Sequence, residues 1–245
     1  MVDTIKAEET SRKKTELPDD KEGAVTFLDV LGWKGIWEKR SDALDTLFNF
    51  VGEIRTISDR ITTTYGSTEN SMRAAKTTIL SVSDTIAIFT QRPKQADPIH
   101  TLQIHAKICS FIIPESIKRC IPVRGATSFG KFSTKEAIMI GPAVDEAASW
   151  HEAHDWIGVT LTPSAKLKIN RKIAMGWREY KPPYKNKGFG CTGCVEWEFN
   201  ETGKSIEEYF YEMGPHIPEI AAKYSNTLDF LDNLKKSKEE CEKDN

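Results

Sequence analysis

The stretch Ala24–Gly35 has the sequence AVTFLDVLGWKG, and it decides the fold. Its first seven residues are apolar or β-branched except for Asp29, a composition typical of a short buried strand. Gly32 and Gly35 follow, and glycine tolerates the backbone conformations that a tight loop needs. The stretch therefore predicts a buried strand that runs into a glycine loop, with one carboxylate near the strand's end.

Beyond this stretch, the pattern alternates between helix and strand. Apolar residues at helical spacing predict a helix over Ser41–Ile61, namely Leu44, Leu47, Phe48, Val51, Ile54 and Ile57. Two β-rich runs, Thr77–Ser83 and Thr85–Thr90, break at Ser83-Asp84, which predicts a tight hairpin. The later predicted elements are a helix from Asp97 or Pro98 to about Lys118, strands at Ile121–Ser128 and Ala137–Ile140, a helix from Gly141-Pro142 through Trp156, and a strand at Ile157–Leu161. The order β-α-β-β-α-β predicts an α+β, ferredoxin-like domain with an antiparallel sheet and helices on one face.

Composition divides the chain into four segments. Residues 1–22 contain twelve charged residues and no apolar period, which predicts a mobile tail. Residues 23–165 form the predicted core. Residues 166–234 begin with a stretch rich in Gly, Pro and aromatic residues and end with one or two helices, so we expect an elaboration of the same domain. Residues 235–245 carry eight charges in eleven residues and predict a second mobile tail.

The overall composition excludes several classes of protein. With 39% hydrophobic and 29% charged residues, the chain is ordinary for a globular protein. A net charge of -2 gives no general attraction to nucleic acid or to acidic lipid. No apolar run approaches the ~20 residues needed to span a bilayer. The five cysteines are odd in number and no export signal precedes them, so we expect reduced thiols and a cytoplasmic location.

Asp29 and Asp84 are the first candidates for chemistry. In a ferredoxin-like sheet the first strand lies beside the third, so the end of strand one and the hairpin turn bring the two carboxylates together. Two carboxylates and a backbone carbonyl make a site suited to Mg²⁺ or Mn²⁺, completed by substrate phosphates. The loop Leu31–Gly35 lets backbone N–H groups approach a phosphate chain. The alternative, that each Asp only caps a turn, stays open.

Four segments carry a resemblance to a known family. They are FLDVLGWK (Phe27–Lys34), SDT (Ser83–Thr85), VRGATSFG (Val123–Gly130) and GPAVDEAAS (Gly141–Ser149). In that order, over about residues 22–165, they resemble the first-strand, hairpin, following-strand and helix-start motifs of class III nucleotidyl cyclases. The resemblance implies a cyclase that binds two Mn²⁺ or Mg²⁺ ions through Asp29, Asp84 and the backbone carbonyl of Val30.

The resemblance also implies how subunits share the site. The family forms head-to-tail homodimers, in which one chain gives the metal carboxylates and its partner gives the base contacts, here from Ile138–Ser149. We expect Asp29→Ala or Asp84→Ala to abolish turnover while leaving the fold intact. Ser149 stands where the family has its transition-state arginine. Arg124 is the candidate substitute, because strand alternation puts it on the face opposite Val123; pairing with a surface carboxylate is the other interpretation.

Departures from the family pattern concern the base. The two positions that read a purine fall on Leu80 and Ile138, both apolar, and the family's helix Asn is Asp145. A chain that keeps the Asp pair but loses both purine readers resembles the pyrimidine cyclases of bacterial Pycsar anti-phage systems, whose product activates a separate effector. This implies conversion of UTP to 3',5'-cyclic UMP and pyrophosphate, with CTP and cyclic CMP as the alternative. The other nucleotide-binding candidates are Leu31, Gly32, Trp33, Lys34 and Thr78, the last as a hydroxyl near a one-ring base.

A different class of function is a ferredoxin-like module that binds nucleotide or RNA without chemistry. Against RNA, Ala126 and Ser128 stand where an RNA-recognition strand has aromatic residues, so we expect neither nucleic acid nor membrane as a partner. His151 and His154 are three residues apart rather than four, and Cys191-x-x-Cys194 has no second pair, so neither predicts zinc. The basic, aromatic segment Arg171–Phe189 is either a nucleic-acid patch or a loop packed on the core.

Overall fold

The computed structural model describes residues 21–33, 35–66, 75–169, 176–186, 192–201 and 203–243. In chain order, the elements are β1 (Lys21–Val30), α1 (Ile36–Lys39), α2 (Ala43–Gly66), β2 (Lys76–Val82), β3 (Thr85–Gln91), α3 (Pro98–Lys118), β4 (Val123–Lys135), β5 (Ile138–Ile140), α4 (Pro142–Trp150), β6 (Gly158–Leu161), α5 (Pro163–Ile169), β7 (Trp177–Arg178), β8 (Cys194–Val195), α6 (Ile206–Met213) and α7 (Pro218–Lys243).

The strands form one sheet in the order β2-β3-β1-β4-β6-β8-β7, with β5 paired to the end of β4. β1 lies between β3 and β4 and is antiparallel to both, and β6 is parallel to β4. The first four strands, with α2 and α3 as their crossovers, form the βαββαβ unit. The α+β, ferredoxin-like prediction is confirmed.

The two faces of the sheet are covered differently. Ala24, Leu28 and Val30 of β1 pack with α2 and α3 in the larger core. Val25 and Phe27, which alternate with them, belong to a smaller cluster on the other face, which we call the α4-face cluster: Val25, Ala87, Phe89, Phe132, Ala143, Val144 and Ala147, with Phe27, Leu80 and Met139 packed on its edge. The helices of the βαββαβ unit therefore share one face, as predicted, while α4 lies on the opposite face.

Some predicted bounds shift. The predicted helix through Trp156 ends at Trp150, because His154 then pairs with Tyr184 and Trp156 is fully buried in the larger core. β4 extends past Ser128 to Lys135, since it pairs with β1 and then with β5.

The apolar stripe predicted for α2 is correct only in part. Leu47, Val51 and Ile54 are buried, whereas Leu44 and Phe48 are exposed. The sheet and α3 cover only one side of the helix, and these two residues lie outside it. The spacing predicted the helix but does not show which of its apolar residues are buried.

Residues after 165 extend the same sheet. β8 pairs antiparallel with β6, and β7 pairs with β8. α6 begins at a capping box formed by Ser205 and Glu208, and α7 continues to Lys243. Residues 235–243, predicted as part of a mobile tail, therefore form the last turns of α7, and Lys21 and Glu22 belong to β1. The rest of the two predicted tails, residues 1–20 and 244–245, lies outside the described residues. No helix in the described part of the chain is long and apolar enough to cross a membrane.

A chain of hydrogen-bonded side chains crosses the larger core beneath the sheet. His105 of α3 bonds through Nδ1 to the Thr26 hydroxyl at 2.6 Å and through Nε2 to the Thr90 hydroxyl at 2.9 Å. The chain continues from Thr26 to Thr127 at 2.6 Å and from Thr90 to Thr77 at 2.8 Å. Burial lowers the pKa of His105 to about 3, so the imidazole stays neutral in the fold.

This low pKa predicts acid sensitivity. In the unfolded chain His105 has a pKa of about 6.5, whereas in the folded protein its pKa is about 3. Between these two pH values the unfolded chain binds a proton that the folded protein does not bind, so the free energy of unfolding decreases as the pH falls from about 6.5 to about 3. The expected contribution is about 1.4 kcal/mol per pH unit for this one group. Urea unfolding between pH 5 and 7 measures it. His105→Gln, which cannot charge, should flatten the slope, whereas the control His100→Gln on the exposed side of α3 should not. Equal slopes in all three proteins would contradict the prediction.

Candidate active site

The end of β1 and the β2–β3 turn lie side by side. Asp29 is the register partner of Thr85, and the Val30 amide donates to the Asp84 carbonyl oxygen at 2.9 Å. Ser83 has a φ of 56°, which closes the turn. The backbones of the two acidic residues are therefore neighbours at one end of the sheet, as the topology predicts.

Asp29 is already paired within the chain. Arg124 is its register partner on β4, and both side chains lie on the face that carries the α4-face cluster. The Arg124 Nε donates to Asp29 Oδ2 at 2.9 Å, and Nη2 lies 2.8 Å from the same oxygen. Asp29 is only 8% exposed and Arg124 only 7%. Arg124 and Val123 thus lie on opposite faces of the sheet, as predicted. The partner of Arg124 is the buried Asp29 rather than a surface carboxylate.

The loop after α4 completes the surroundings of Arg124. Nη1 donates to the His154 carbonyl oxygen at 3.3 Å, and Nη2 lies 3.9 Å from Glu152 Oε2. The His154 ring bonds to the Thr160 hydroxyl at 2.9 Å and lies 4.5 Å from the Tyr184 ring centroid. Burial, aided by the charges of Arg124 and Lys185, lowers the pKa of His154 to about 3. Local sequence patterns do not indicate that Glu152 or His154 lies at this site, because their approach depends on where α4 ends.

The available donors fit a hard divalent cation, with one condition. Asp29 Oδ1 receives no hydrogen bond from any described residue, and Asp84 is half-buried at the turn beside it. Mg²⁺ is commonly held by one or two carboxylates plus substrate phosphates, which matches this pair. Across the described ranges, no three His, Cys, Asp or Glu side chains group closely enough to hold a metal by themselves. The condition is that a cation would have to bind Asp29 while the Arg124 guanidinium already contacts Oδ2 of the same carboxylate.

The glycine loop is only partly available to phosphate. Gly32 and Gly35 have φ values of 77° and 75°, the left-handed region that favours glycine. The Leu31 amide donates to the Pro122 carbonyl oxygen at 2.8 Å, so Leu31 has no N–H to offer a phosphate. The amides of Gly32 and Trp33 donate to no acceptor in the described part of the chain. Lys34 lies outside the described residues.

The candidate base-contacting residues fall in two places. Leu80 is half-buried against the α4-face cluster, and Thr78 is exposed on the same side of β2. Ile138 is 68% exposed on β5, and Asp145 and Ser149 are exposed on α4. The Ser149 hydroxyl donates to the Asp145 carbonyl oxygen at 2.7 Å. Among the described residues of one chain, no hydrogen bond or ion pair joins Ile138, Asp145 or Ser149 to Asp29.

The aromatic residues described in the basic segment pack inward. Trp177 is buried and its Nε1 donates to the Leu102 carbonyl oxygen at 2.9 Å. Tyr180 stacks on Trp156 with ring centroids 5.8 Å apart. Residues 170–175 and 187–191, including Cys191, lie outside the described residues, and Cys194 is buried. The described part of this segment, which includes the short strand β7, packs on the core.

The chain is similar to solved structures of nucleotide cyclases. The adenylyl cyclase CyaB from P. aeruginosa has a TM-score of 0.48 and 17% identity, over 76% of this chain and 98% of that chain. The catalytic core of a rhodopsin-guanylyl cyclase with converted specificity, in complex with ATPalphaS, has a TM-score of 0.47 and 16% identity, over 72% and 95%. An adenylate cyclase from Trypanosoma brucei in its monomeric state has a TM-score of 0.45 and 11% identity, over 74% and 90%. No protein-family model and no curated protein matches the sequence.

Proposed function

We propose that this protein is a metal-dependent nucleotidyl cyclase that converts UTP to 3',5'-cyclic UMP and pyrophosphate, with CTP as the alternative substrate. The observation that supports it is that Asp29 and Asp84 lie on adjacent backbones beside a glycine loop with two amides that donate to no described acceptor. The product would serve as a second messenger for a separate effector in anti-phage defence. That role follows from the resemblance of the sequence to Pycsar cyclases.

The site's own residues suit phosphoryl transfer, which depends mainly on positioning and charge. Two divalent ions, held by Asp29 and Asp84 with the carbonyl of Val30, would supply Lewis acidity toward the ribose 3'-hydroxyl and the triphosphate. The amides of Gly32 and Trp33, which donate to no acceptor in the described part of the chain, are the candidates to bind phosphate oxygens. Arg124 is almost fully buried, and a guanidinium so placed stabilises developing negative charge more strongly than one in water.

The proposed preference for a pyrimidine rests on two side chains on one face of the edge strand β2, Leu80 and Thr78. Leu80 offers no hydrogen bond and fills volume beside the α4-face cluster, whereas Thr78 presents a hydroxyl on the same side. A polar base edge left unpaired in a dry pocket costs about 1–3 kcal/mol, so a purine is disfavoured where no polar reader meets it.

We expect UTP to be the best substrate when each of the four nucleoside triphosphates is offered with Mn²⁺ and the products are identified by mass spectrometry. Thr78→Val should lower kcat/KM for UTP about tenfold, the loss of roughly one hydrogen bond to the base. Thr63→Val, an exposed substitution on α2, is the matched control. Faster conversion of ATP or GTP than of UTP and CTP would overturn the pyrimidine preference.

Exposed apolar residues support a homodimer. Val82, at the end of the edge strand β2, is 73% exposed, and Ile138 and Ile140 of β5 are also exposed. In a head-to-tail dimer the segment Ile138–Ser149 of one chain would face the carboxylates of the other. Burying these side chains against a partner would be favourable.

Subunit mixing tests this arrangement. An Asp84→Ala chain and a chain carrying Asp145→Pro, which disrupts the start of α4, should each be inactive alone. Mixed together, they should regain one working site per heterodimer, about a quarter of the wild-type turnover under random pairing. Size-exclusion chromatography of the mixture gives the oligomeric state. Full activity from a monomer would contradict the shared site.

A non-catalytic nucleotide-binding module is the second candidate. It is favoured by the Asp29–Arg124 ion pair, which neutralises the buried carboxylate without a metal ion. The same product assay separates the two, because a binding module would retain nucleotide yet release neither a cyclic nucleotide nor pyrophosphate.

A further inference from the structure

The guanidinium of Arg124 lies between two carboxylates of different kinds. Its Nη2 is 2.8 Å from Oδ2 of Asp29 and 3.9 Å from Oε2 of Glu152. The Asp29 side chain is almost buried, whereas that of Glu152 is 59% exposed. At 3.9 Å the second contact is an ion pair but not a hydrogen bond. Arg124 therefore binds the carboxylate of Asp29, and the carboxylate of Glu152 is close enough to bind the guanidinium instead.

This arrangement conflicts with a divalent cation on Asp29. A cation bound by that carboxylate would lie within a few ångströms of the guanidinium, in a region with little water to screen the repulsion. The hydrogen bond from Arg124 Nε and the ion-pair contact of Nη2 both go to the same oxygen of Asp29, Oδ2, so movement of the guanidinium would free the whole carboxylate. Removal of the guanidinium to bulk water would forfeit its buried hydrogen bonds. A nearby carboxylate is the less costly destination.

Glu152 stands on a fixed part of the backbone. His154 forms a β-bridge with Tyr184, the Lys185 amide donates to the Ala153 carbonyl oxygen at 3.0 Å, and the Asp155 amide donates to the Pro183 carbonyl oxygen at 2.9 Å. The His154 carbonyl oxygen also accepts from Arg124 Nη1. The loop that carries Glu152 is thus braced by the C-terminal part of the chain and already holds one side of the guanidinium.

We propose that Glu152 is a positioning residue: it takes the Arg124 guanidinium when a divalent cation binds Asp29. The Asp29–Arg124 and Glu152–Arg124 pairs are then two alternative arrangements of the same side chain. This inference rests on the proposed function, because it assumes that Asp29 and Asp84 bind the cation. Glu152 touches neither the cation nor the nucleotide in this scheme, and it acts only through Arg124.

A double-mutant cycle on Mn²⁺ binding, measured by calorimetry or electron paramagnetic resonance without nucleotide, tests the inference. Arg124→Gln removes the competitor for Asp29 and should tighten Mn²⁺ binding about three- to tenfold. Glu152→Gln should weaken it by a similar factor in the wild-type background and should have no effect in the Arg124→Gln background. Glu136→Gln, an exposed substitution in the β4–β5 turn, is the charge-matched control and should change nothing.

The outcomes separate this inference from the proposed function. Equal weakening by Glu152→Gln in both backgrounds would mean that Glu152 acts only by its charge, which overturns the positioning role. Weaker Mn²⁺ binding in Arg124→Gln than in the wild-type protein would also overturn the positioning role of Glu152. Mn²⁺ binding that survives Asp84→Ala would instead remove the metal site of the proposed function, and this inference with it.

A second measurement covers the case in which Arg124→Gln does not fold. In wild-type protein, addition of Mg²⁺ should shift the ¹⁵N resonance of the Arg124 Nε–H group while keeping it protected from exchange with water. In Glu152→Gln, which alters an exposed side chain, the shift should be accompanied by loss of that protection. An unchanged Arg124 signal at saturating Mg²⁺ would overturn the inference.

Discussion

Asp29→Ala is expected to lower the free energy of unfolding by about 3–5 kcal/mol, because it leaves the Arg124 guanidinium buried without its partner. Both side chains of this pair are almost inaccessible to solvent, and the contacts between them are 2.8 and 2.9 Å. The sequence alone predicted that this substitution leaves the fold intact. That expectation took Asp29 for a carboxylate whose only partner is a metal. Urea unfolding of the variant at neutral pH measures the effect.

The matched control removes both charges. Asp29→Ala combined with Arg124→Met leaves no unpaired ion in the sheet, so most of the lost stability should return. The free energy of unfolding of the double variant is compared with those of Asp29→Ala and Arg124→Met. If the double variant loses as much as the two single variants together, the two side chains are not energetically coupled. Turnover should be absent from both Asp29→Ala and the double variant. The double variant should therefore regain stability without regaining activity.

Asp84→Ala is expected to abolish turnover, by about a thousandfold or more, while the protein stays folded. Asp84 is half-buried at the β2–β3 turn, and the backbone hydrogen bond from Val30 to its carbonyl survives the substitution. No other described side chain loses a partner. Product formation from UTP with Mn²⁺ gives the activity, and circular dichroism with urea unfolding gives the stability.

Asp84→Asn sharpens this test, because it preserves the shape of the side chain and removes only the charge. Comparable inactivity in the Ala and Asn variants would identify the charge as the property that matters. Retained turnover in either variant would end the two-metal proposal. Asp84→Ala is the cleaner probe of catalysis, since its effect is not mixed with the unfolding expected for Asp29→Ala.

Local patterns of the sequence were enough to predict the core topology. The apolar, β-branched run Ala24–Val30, the break at Ser83-Asp84 and the Asp97-Pro98 helix start each correspond to an observed element, and the resulting topology puts Asp29 next to Asp84. The Asp29–Arg124 pair was missed because it depends on register between strands about a hundred residues apart. Periodicity says which face Arg124 occupies, but only the β1–β4 register says which residue it meets.

The other misses have the same origin in long-range packing. Leu44 and Phe48 have the spacing of buried residues, yet nothing in the described part of the chain covers that side of α2. Glu152 and His154 come to the site only because the chain leaves α4 at Trp150 to bury Trp156. A local pattern does not contain either fact.

The surroundings of Trp156 have a consequence for how the protein can be divided. Its ring lies 5.8 Å from that of Tyr180 and 5.0 Å from that of Phe230, so the aromatic cluster that follows Glu152 and His154 is completed by two segments far along the chain. A fragment that stops near residue 165 would contain all four of the quoted sequence motifs but neither Tyr180 nor Phe230. We therefore expect the smallest unit that folds to be larger than residues 22–165, and grafts or truncations need to carry α7 with them.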